Sequence, residues 1–121
     1  MEDKSFDILS LCYRVHSELG SGLLESIYSK ALEIEFIENN FKYQRESLIP
    51  VYYKGNRLDL GFRADFVINK NIILELKSVQ EINPIHKAQL FTYLKLSGIK
   101  TGLLINFNTV HLKDGITRIV M

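Results

Sequence analysis

An α/β domain built on a mixed sheet is the fold this sequence predicts, and three observations carry that expectation. Two segments with apolar residues at three- and four-residue steps open the chain, three strand-like segments joined by tight turns follow, and a helical segment then precedes further strands. Tight turns impose antiparallel neighbours, whereas a helix between strands supplies the crossover that a parallel pair needs, so both pairings are expected in one sheet. With 121 residues, 46% of them hydrophobic, and seven Phe and six Tyr, the chain can bury one core. That composition excludes disorder and a disulfide-stapled miniprotein, and residues 1–121 read as a single domain without repeats or a linker.

The first helix is expected over Phe6 to Leu19, where Ile8, Leu9, Cys12, Val15 and Leu19 form the apolar stripe, and Gly20, Ser21 and Gly22 end it. A second runs from Leu23 to about Asn39, with Leu24, Ile27, Ala31, Ile34 and Ile37 as its apolar positions and Ser21 placed as its N-cap. From Phe41 to Tyr53 aromatic and β-branched residues indicate a strand in which Pro50 marks a bend or an edge. Lys54, Gly55 and Asn56 make a hairpin turn. Arg57 to Ile68 then alternates, with Leu58, Leu60, Phe62, Ala64 and Phe66 on one face and Asp59, Gly61, Arg63, Asp65 and Val67 on the other. A turn at Asn69, Lys70 and Asn71 leads into a short apolar strand, Ile72 to Val79. Asn83 and Pro84 open a helix through Leu96 that Gly98 terminates. Thr101 to Phe107 reads as a buried strand, and Lys113, Asp114 and Gly115 as the turn before a last strand, Ile116 to Val120.

Fifteen basic and fourteen acidic residues leave a net charge of +1, which excludes a nucleic-acid binder that works by bulk charge; any attraction for phosphate must be local. The single cysteine, Cys12, lies in an apolar stretch and reads as a buried thiol, which points to a reducing, cytoplasmic compartment. No run approaches the roughly 20 apolar residues of a membrane span, and Met1 to Asp7 has no apolar leader segment, so neither membrane insertion nor export is expected.

Glu75 and Lys77 stand two apart in the third strand and leave the same face, while Leu74 and Leu76 point to the other. Charges in the middle of an apolar strand are either a solvent-facing pair on a half-exposed sheet or parts of a site. Asp65, toward the end of the preceding strand and joined to this one by a tight turn, brings a second carboxylate within reach of Glu75. Two such carboxylates repel each other unless a cation lies between them, and oxygen ligands of this kind suit Mg²⁺ or Mn²⁺. A lysine beside them positions and helps deprotonate a water, or stabilises charge on a phosphoryl oxygen; this is the equipment for hydrolysing a phosphodiester.

In their strand, turn, strand setting Asp65, Glu75 and Lys77 resemble the catalytic signature of the PD-(D/E)XK nuclease superfamily, with Glu75, Leu76 and Lys77 as its E-x-K element. The position before the Asp, where that signature normally has Pro, is Ala64. Gln89 and Tyr93, one helical turn apart, resemble the Q-x-x-x-Y element of its recombination-exonuclease branch, and His86 falls on the same face, where it is otherwise an ordinary first-turn residue. Gly22, Glu25 and Tyr28 match the G-x-x-E-x-x-Y motif of the GxxExxY family, a small-protein group of the same superfamily, and are expected along one helix face. Without the resemblance Glu25 is a first-turn acid favoured by the helix dipole and Tyr28 a half-buried aromatic. Arg63, two before Asp65, either contacts a phosphate or pairs with one of the acids, and Arg45 reads as part of a solvated strand face.

The resemblance implies a restriction-endonuclease-like core, a central mixed sheet flanked by helices. It implies a metal-dependent nuclease or nuclease-like domain in which Asp65, Glu75, the Leu76 carbonyl and Glu25 hold Mg²⁺ or Mn²⁺ and Lys77 assists the attacking water. Gln89, Tyr93, Tyr28 and Arg63 would then hold or orient the substrate. Nucleic acid, DNA before RNA, is the implied partner, and a homodimer would enlarge a small binding surface. The competing reading is a non-catalytic module that binds nucleic acid or protein on the same fold; small size and near-zero charge favour it.

Overall fold

Alternation in the strands and apolar periodicity in the helices produce three α-helices and five strands among residues 4–121, which the computed structural model describes. In chain order these are α1 (Ser5–Leu19), α2 (Glu25–Glu38), β1 (Tyr43–Tyr53), β2 (Asn56–Ile68), β3 (Ile72–Lys77), α3 (Pro84–Ser97), β4 (Thr101–Asn106) and β5 (Ile116–Val120), with a 3-10 turn at Leu112–Gly115. The sheet order follows the chain, β1-β2-β3-β4-β5. Three neighbouring pairs are antiparallel, and β3–β4 is parallel with α3 as its crossover, so the expected mixed sheet is formed.

Helices cover both faces. Ile8, Leu11, Cys12 and Val15 of α1 and Tyr28, Leu32 and Phe36 of α2 pack on Phe66, Ile68, Leu74, Leu76, Leu103 and Ile105. On the other face Leu90 and Leu94 of α3 meet Ile49, Val67, Ile73 and Leu104. Every residue of β4 is buried, as befits a strand with a neighbour on each side and helices above and below. Cys12 is fully buried, and burial pushes its thiol up to about 12, so it is an inert core residue.

Three details depart from the sequence expectation. The first is the face that α2 buries. Tyr28, Leu32 and Phe36 are its buried residues, whereas Leu24, Ile27, Ile34 and Ile37 are exposed. The helix is apolar on two sides, so periodicity alone fits either; the aromatic rings decide it, with Tyr28 stacked on Phe107 at 4.4 Å and Phe36 edge-on to Phe66 at 5.2 Å.

The second is the start of α2. Leu24, in extended conformation, occupies the N-cap position, and Ser21 does not cap the helix. The Tyr28 hydroxyl instead donates to the Gly20 carbonyl at 2.7 Å and accepts from the Leu23 N–H at 3.1 Å, satisfying the loop from within the helix. Gly22, with φ of +91°, lies in that loop and shares no helix face with Glu25 and Tyr28.

The third is β2, whose side chains do not keep one face. Phe66 and Ile68 pack toward α1 and α2, whereas Ala64 and Phe62 pack toward α3. The β1–β2 ladder places Arg45 opposite Phe66 and Ser47 opposite Ala64, and between these pairs Glu46 takes a positive φ of 53°. A left-handed residue rotates the strand about its axis, so the alternation resets there. Leu58 and Leu60, expected on one face with Phe62, Ala64 and Phe66, are exposed because this end of β2 pairs only with β1.

Gly102 shows how closely α3 lies on the sheet: a Cβ there would stand 2.9–3.1 Å from three Leu90 side-chain atoms. Gly102→Ala is expected to destabilise the protein by about 1–3 kcal/mol, read from the urea midpoint, because α3 must lift to admit one methyl. An unchanged midpoint would contradict this packing.

Candidate metal centre

β2 and β3 pair as Ile68 with Ile72, Val67 with Ile73 and Phe66 with Leu74, and there the ladder stops. Two carboxylates take over the backbone hydrogen bonds beyond it. The Asp65 N–H donates to Glu75 Oε2 at 2.7 Å, and the Leu76 N–H donates to Asp65 Oδ2 at 2.8 Å. Each strand thus holds the other's acid in place.

Within a strand the N–H and C=O of one residue leave by the same edge, and neighbouring residues alternate. The Lys77 carbonyl accepts from the Phe107 N–H on the β4 side, so the Leu76 carbonyl leaves on the β2 side, past the last ladder pair. Asp65, Glu75 and the Leu76 carbonyl therefore converge where the strands part.

This convergence is electrostatically uncomfortable. Glu75 is 6% exposed, and its pKa rises from the ordinary 4.5 to about 8, first through burial and then through the Asp65 charge. Burial also raises Asp65, opposed by its hydrogen bond from Leu76 and reinforced by the Glu25 charge. Lys77 lowers both and is the one basic side chain acting on the pair among the described residues.

The remaining residues arrange themselves on two sides. A cleft of about 200 Å³ on the α2 side is lined by Glu25, Ser26, Ser29, Arg45, Glu46, Asp65 and Leu76. On the α3 side, Tyr93 stacks on Phe62 with ring centres 3.9 Å apart. Burial raises its hydroxyl pKa, the Glu75 and Asp65 charges raise it further, and a hydrogen bond from Gln89 opposes them. Gln89 and Tyr93 thus act together beside the acids.

Tyr28, expected among the substrate contacts, has no exposed surface and spends its hydroxyl on the Gly20–Leu23 loop; its place is beneath the site. Arg63 is exposed and donates to the Glu46 carbonyl at 3.1 Å. His86 is the first-turn residue of the plainer alternative, its Nδ1 accepting from the Asn83 N–H at 3.1 Å.

Arg45 is not on a solvated face. Its Nε donates to Ser29 Oγ at 3.0 Å and its Nη1 to Glu33 Oε1 at 3.3 Å, which ties the cleft's strand wall to its helix wall. The four-residue spacing of Glu25, Ser29 and Glu33 is the sequence signal for this polar helix face. Glu46 carries no comparable signal, because its position in the cleft follows from its left-handed backbone.

The donor set fits a small hard cation. Among the described residues no three His, Cys, Asp or Glu side chains stand close enough to hold a metal by themselves, so Glu25 does not form a three-carboxylate cage with Asp65 and Glu75. Two carboxylates and a carbonyl, with waters completing the shell, are what Mg²⁺ ordinarily accepts. The burial of two acids side by side is the charge deficit such an ion would relieve.

A family model described as the PD-(D/E)XK nuclease superfamily matches residues 2–119. No curated protein matches the chain. Among solved structures, the crystal structure of SSO0001 is similar over 78% of this chain, at 28% identity and a TM-score of 0.51. The chain spans about half of that protein, 48% of its length.

Because both acids have folded-state pKa values above their unfolded ones, the metal-free protein holds protons that the unfolded chain has released. The contribution to stability is complete below the unfolded values and is lost as pH rises through the folded ones. The urea midpoint is therefore expected to fall between about pH 5 and about pH 8 in EDTA, with a shallower fall in Glu75→Gln. Equal slopes in the two proteins would contradict the raised pair.

Proposed function

The chain belongs to the PD-(D/E)XK nuclease superfamily, and from that membership we propose that it hydrolyses phosphodiester bonds of nucleic acid with a divalent metal. One observation carries the reading: the reciprocal hydrogen bonds that fix Asp65 and Glu75 side by side beyond the end of the β2–β3 ladder, next to Lys77.

In this reading Asp65, Glu75 and the Leu76 carbonyl hold Mg²⁺ or Mn²⁺, with Glu25 across the cleft reaching the site through water. When bound, the metal supplies Lewis-acid polarisation of the phosphate and lowers the pKa of its water. Lys77 orients the attacking water and receives or returns a proton at Nζ. Gln89 fixes the Tyr93 hydroxyl, which faces the acids from the α3 side and orients the substrate backbone. Arg63, exposed at the strand edge, contacts phosphate. Arg45 braces the cleft without serving the phosphate directly, since its guanidinium is engaged by Ser29 and Glu33.

Finer assignments belong to the same proposal. Gly22, Glu25 and Tyr28 support the GxxExxY group, Gln89 and Tyr93 support DNA before RNA, and the buried Cys12 thiol suits the cytoplasm. The exposed Ile27, Ile34 and Ile37 stripe of α2 supports a homodimer, which the sedimentation mass of the wild-type chain tests. No helix among the described residues is long and apolar enough to cross a membrane. The competing reading is a module that binds nucleic acid or protein without cutting, which the small size of the chain favours.

Labelled single- and double-stranded DNA and RNA, incubated with Mg²⁺, Mn²⁺ or EDTA, decide between them. Cleavage is expected with metal only, and Lys77→Ala should slow it by about 100-fold or more. Cleavage that survives EDTA, or that Lys77→Ala leaves unchanged, would overturn the nuclease reading.

A further inference from the structure

Beyond the last β2–β3 pair, β1 and β2 continue as a two-stranded ribbon, and the reset at Glu46 sorts its side chains. Ile49, Phe62 and Ala64 pack toward α3. Cross-strand partners share a face and successive pairs alternate, so Leu48 opposite Arg63 and Pro50 opposite Gly61 turn the other way, toward the side on which the carboxylate cleft opens. The register shifts between Pro50 and Tyr52 with the extra residues on β2, and the two-residue step along β1 keeps Tyr52, opposite Arg57, on the face of Pro50. No helix among the described residues covers them. Leu48 is 54% exposed and Tyr52 56%, and both arginines are exposed.

The row is continuous with the cleft. Arg63 donates to the carbonyl of Glu46, and Glu46 lines the cleft beside Asp65. From Glu46 to Tyr52 the strand advances about 20 Å, at roughly 3.3 Å per residue. Along that distance the surface offers a guanidinium, an aliphatic side chain, a second guanidinium and an aromatic ring. The only acid in this stretch of β2, Asp59, lies in the bulge between Arg57 and Gly61.

The geometry points to a docking track for an unpaired nucleic-acid strand along this face of the ribbon, with Arg63 and Arg57 on phosphates and Tyr52 stacked on a base. The inference rests on the nuclease reading of the cleft and adds the substrate class. Stacking on an exposed ring requires a base whose face is free, which a continuous duplex does not offer along its length. Two arginines and one ring also suit a chain whose net charge supplies no broad field for a duplex. Tyr53 provides an internal contrast, since it leaves the opposite face and has the Lys54 ammonium 5.6 Å from its ring centre.

The test is the binding of a fluorescein-labelled oligothymidylate, and of a duplex of equal length, to the full chain in EDTA, where no cleavage intervenes. Tyr52→Ala is expected to weaken single-strand binding about tenfold or more. Arg57→Ala should reduce the slope of log K against log salt by about 0.7, and Tyr53→Ala should bind like wild type. Circular dichroism checks that each variant is folded. Wild-type protein that fails to bind the single strand, a preference for duplex, Tyr52→Ala binding like wild type, or Tyr53→Ala weakening binding equally would each overturn the track.

The two readings fail separately. If Lys77→Ala abolishes cleavage while Tyr52→Ala and Arg57→Ala bind normally, the track falls and the centre stands. If the ribbon variants behave as expected but no metal-dependent cleavage exists, the track stands as a binding surface and the nuclease reading falls.

Discussion

The exchange of hydrogen bonds between Asp65 and β3 is the constraint from which the rest of the site follows. A ladder that simply frayed at Phe66 and Leu74 would leave the Asp65 and Leu76 N–H groups unpaired at the sheet's parting. Their capture by Glu75 and Asp65 satisfies both donors and fixes both carboxylates in one step. The consequence is repulsion between neighbouring buried acids, seen in the upward pKa shifts of the pair. In the proposed reading a cation would relieve that repulsion while the hydrogen bonds keep both carboxylates where they are.

Charge is used locally throughout. The net charge of +1 gives the surface no general affinity for phosphate. Arg45 is committed to Ser29 and Glu33, and Arg14 to Glu35 at 2.8 Å, so these cations brace the helices. Lys77 remains beside the acids, close enough to moderate both. In the proposed reading a phosphate entering the cleft would meet a captured metal, Lys77 and the exposed Arg63, a local set of cations and not a broad basic surface.

Much of this was legible in the residues. The alternation and turn chemistry from Phe41 to Lys77, the largely apolar run from Thr101 to Phe107 and the Asn83–Pro84 helix start led to the mixed sheet and its parallel pair. The two-residue spacing of Glu75 and Lys77 beside Asp65 singled out the residues that the fold brings together. What escaped depends on competition between equivalent patterns or on a single backbone angle. Helix α2 is apolar on both sides, and only the ring contacts of Tyr28 and Phe36 choose between them. Glu46 is an unremarkable acid in sequence, yet it takes a positive φ, lines the cleft and stands where the facing of β2 resets.

The proposed metal site is the pair Asp65 and Glu75, held in place by backbone bonds of the neighbouring strand. Calorimetric titration of Mn²⁺ into the metal-free protein near neutral pH, repeated in two buffers of different ionisation enthalpy, measures both the ion and the protons it displaces. One Mn²⁺ per chain with net proton release is expected, both lost in Asp65→Asn. Absence of binding, or binding of the same stoichiometry and proton release in Asp65→Asn, would contradict it.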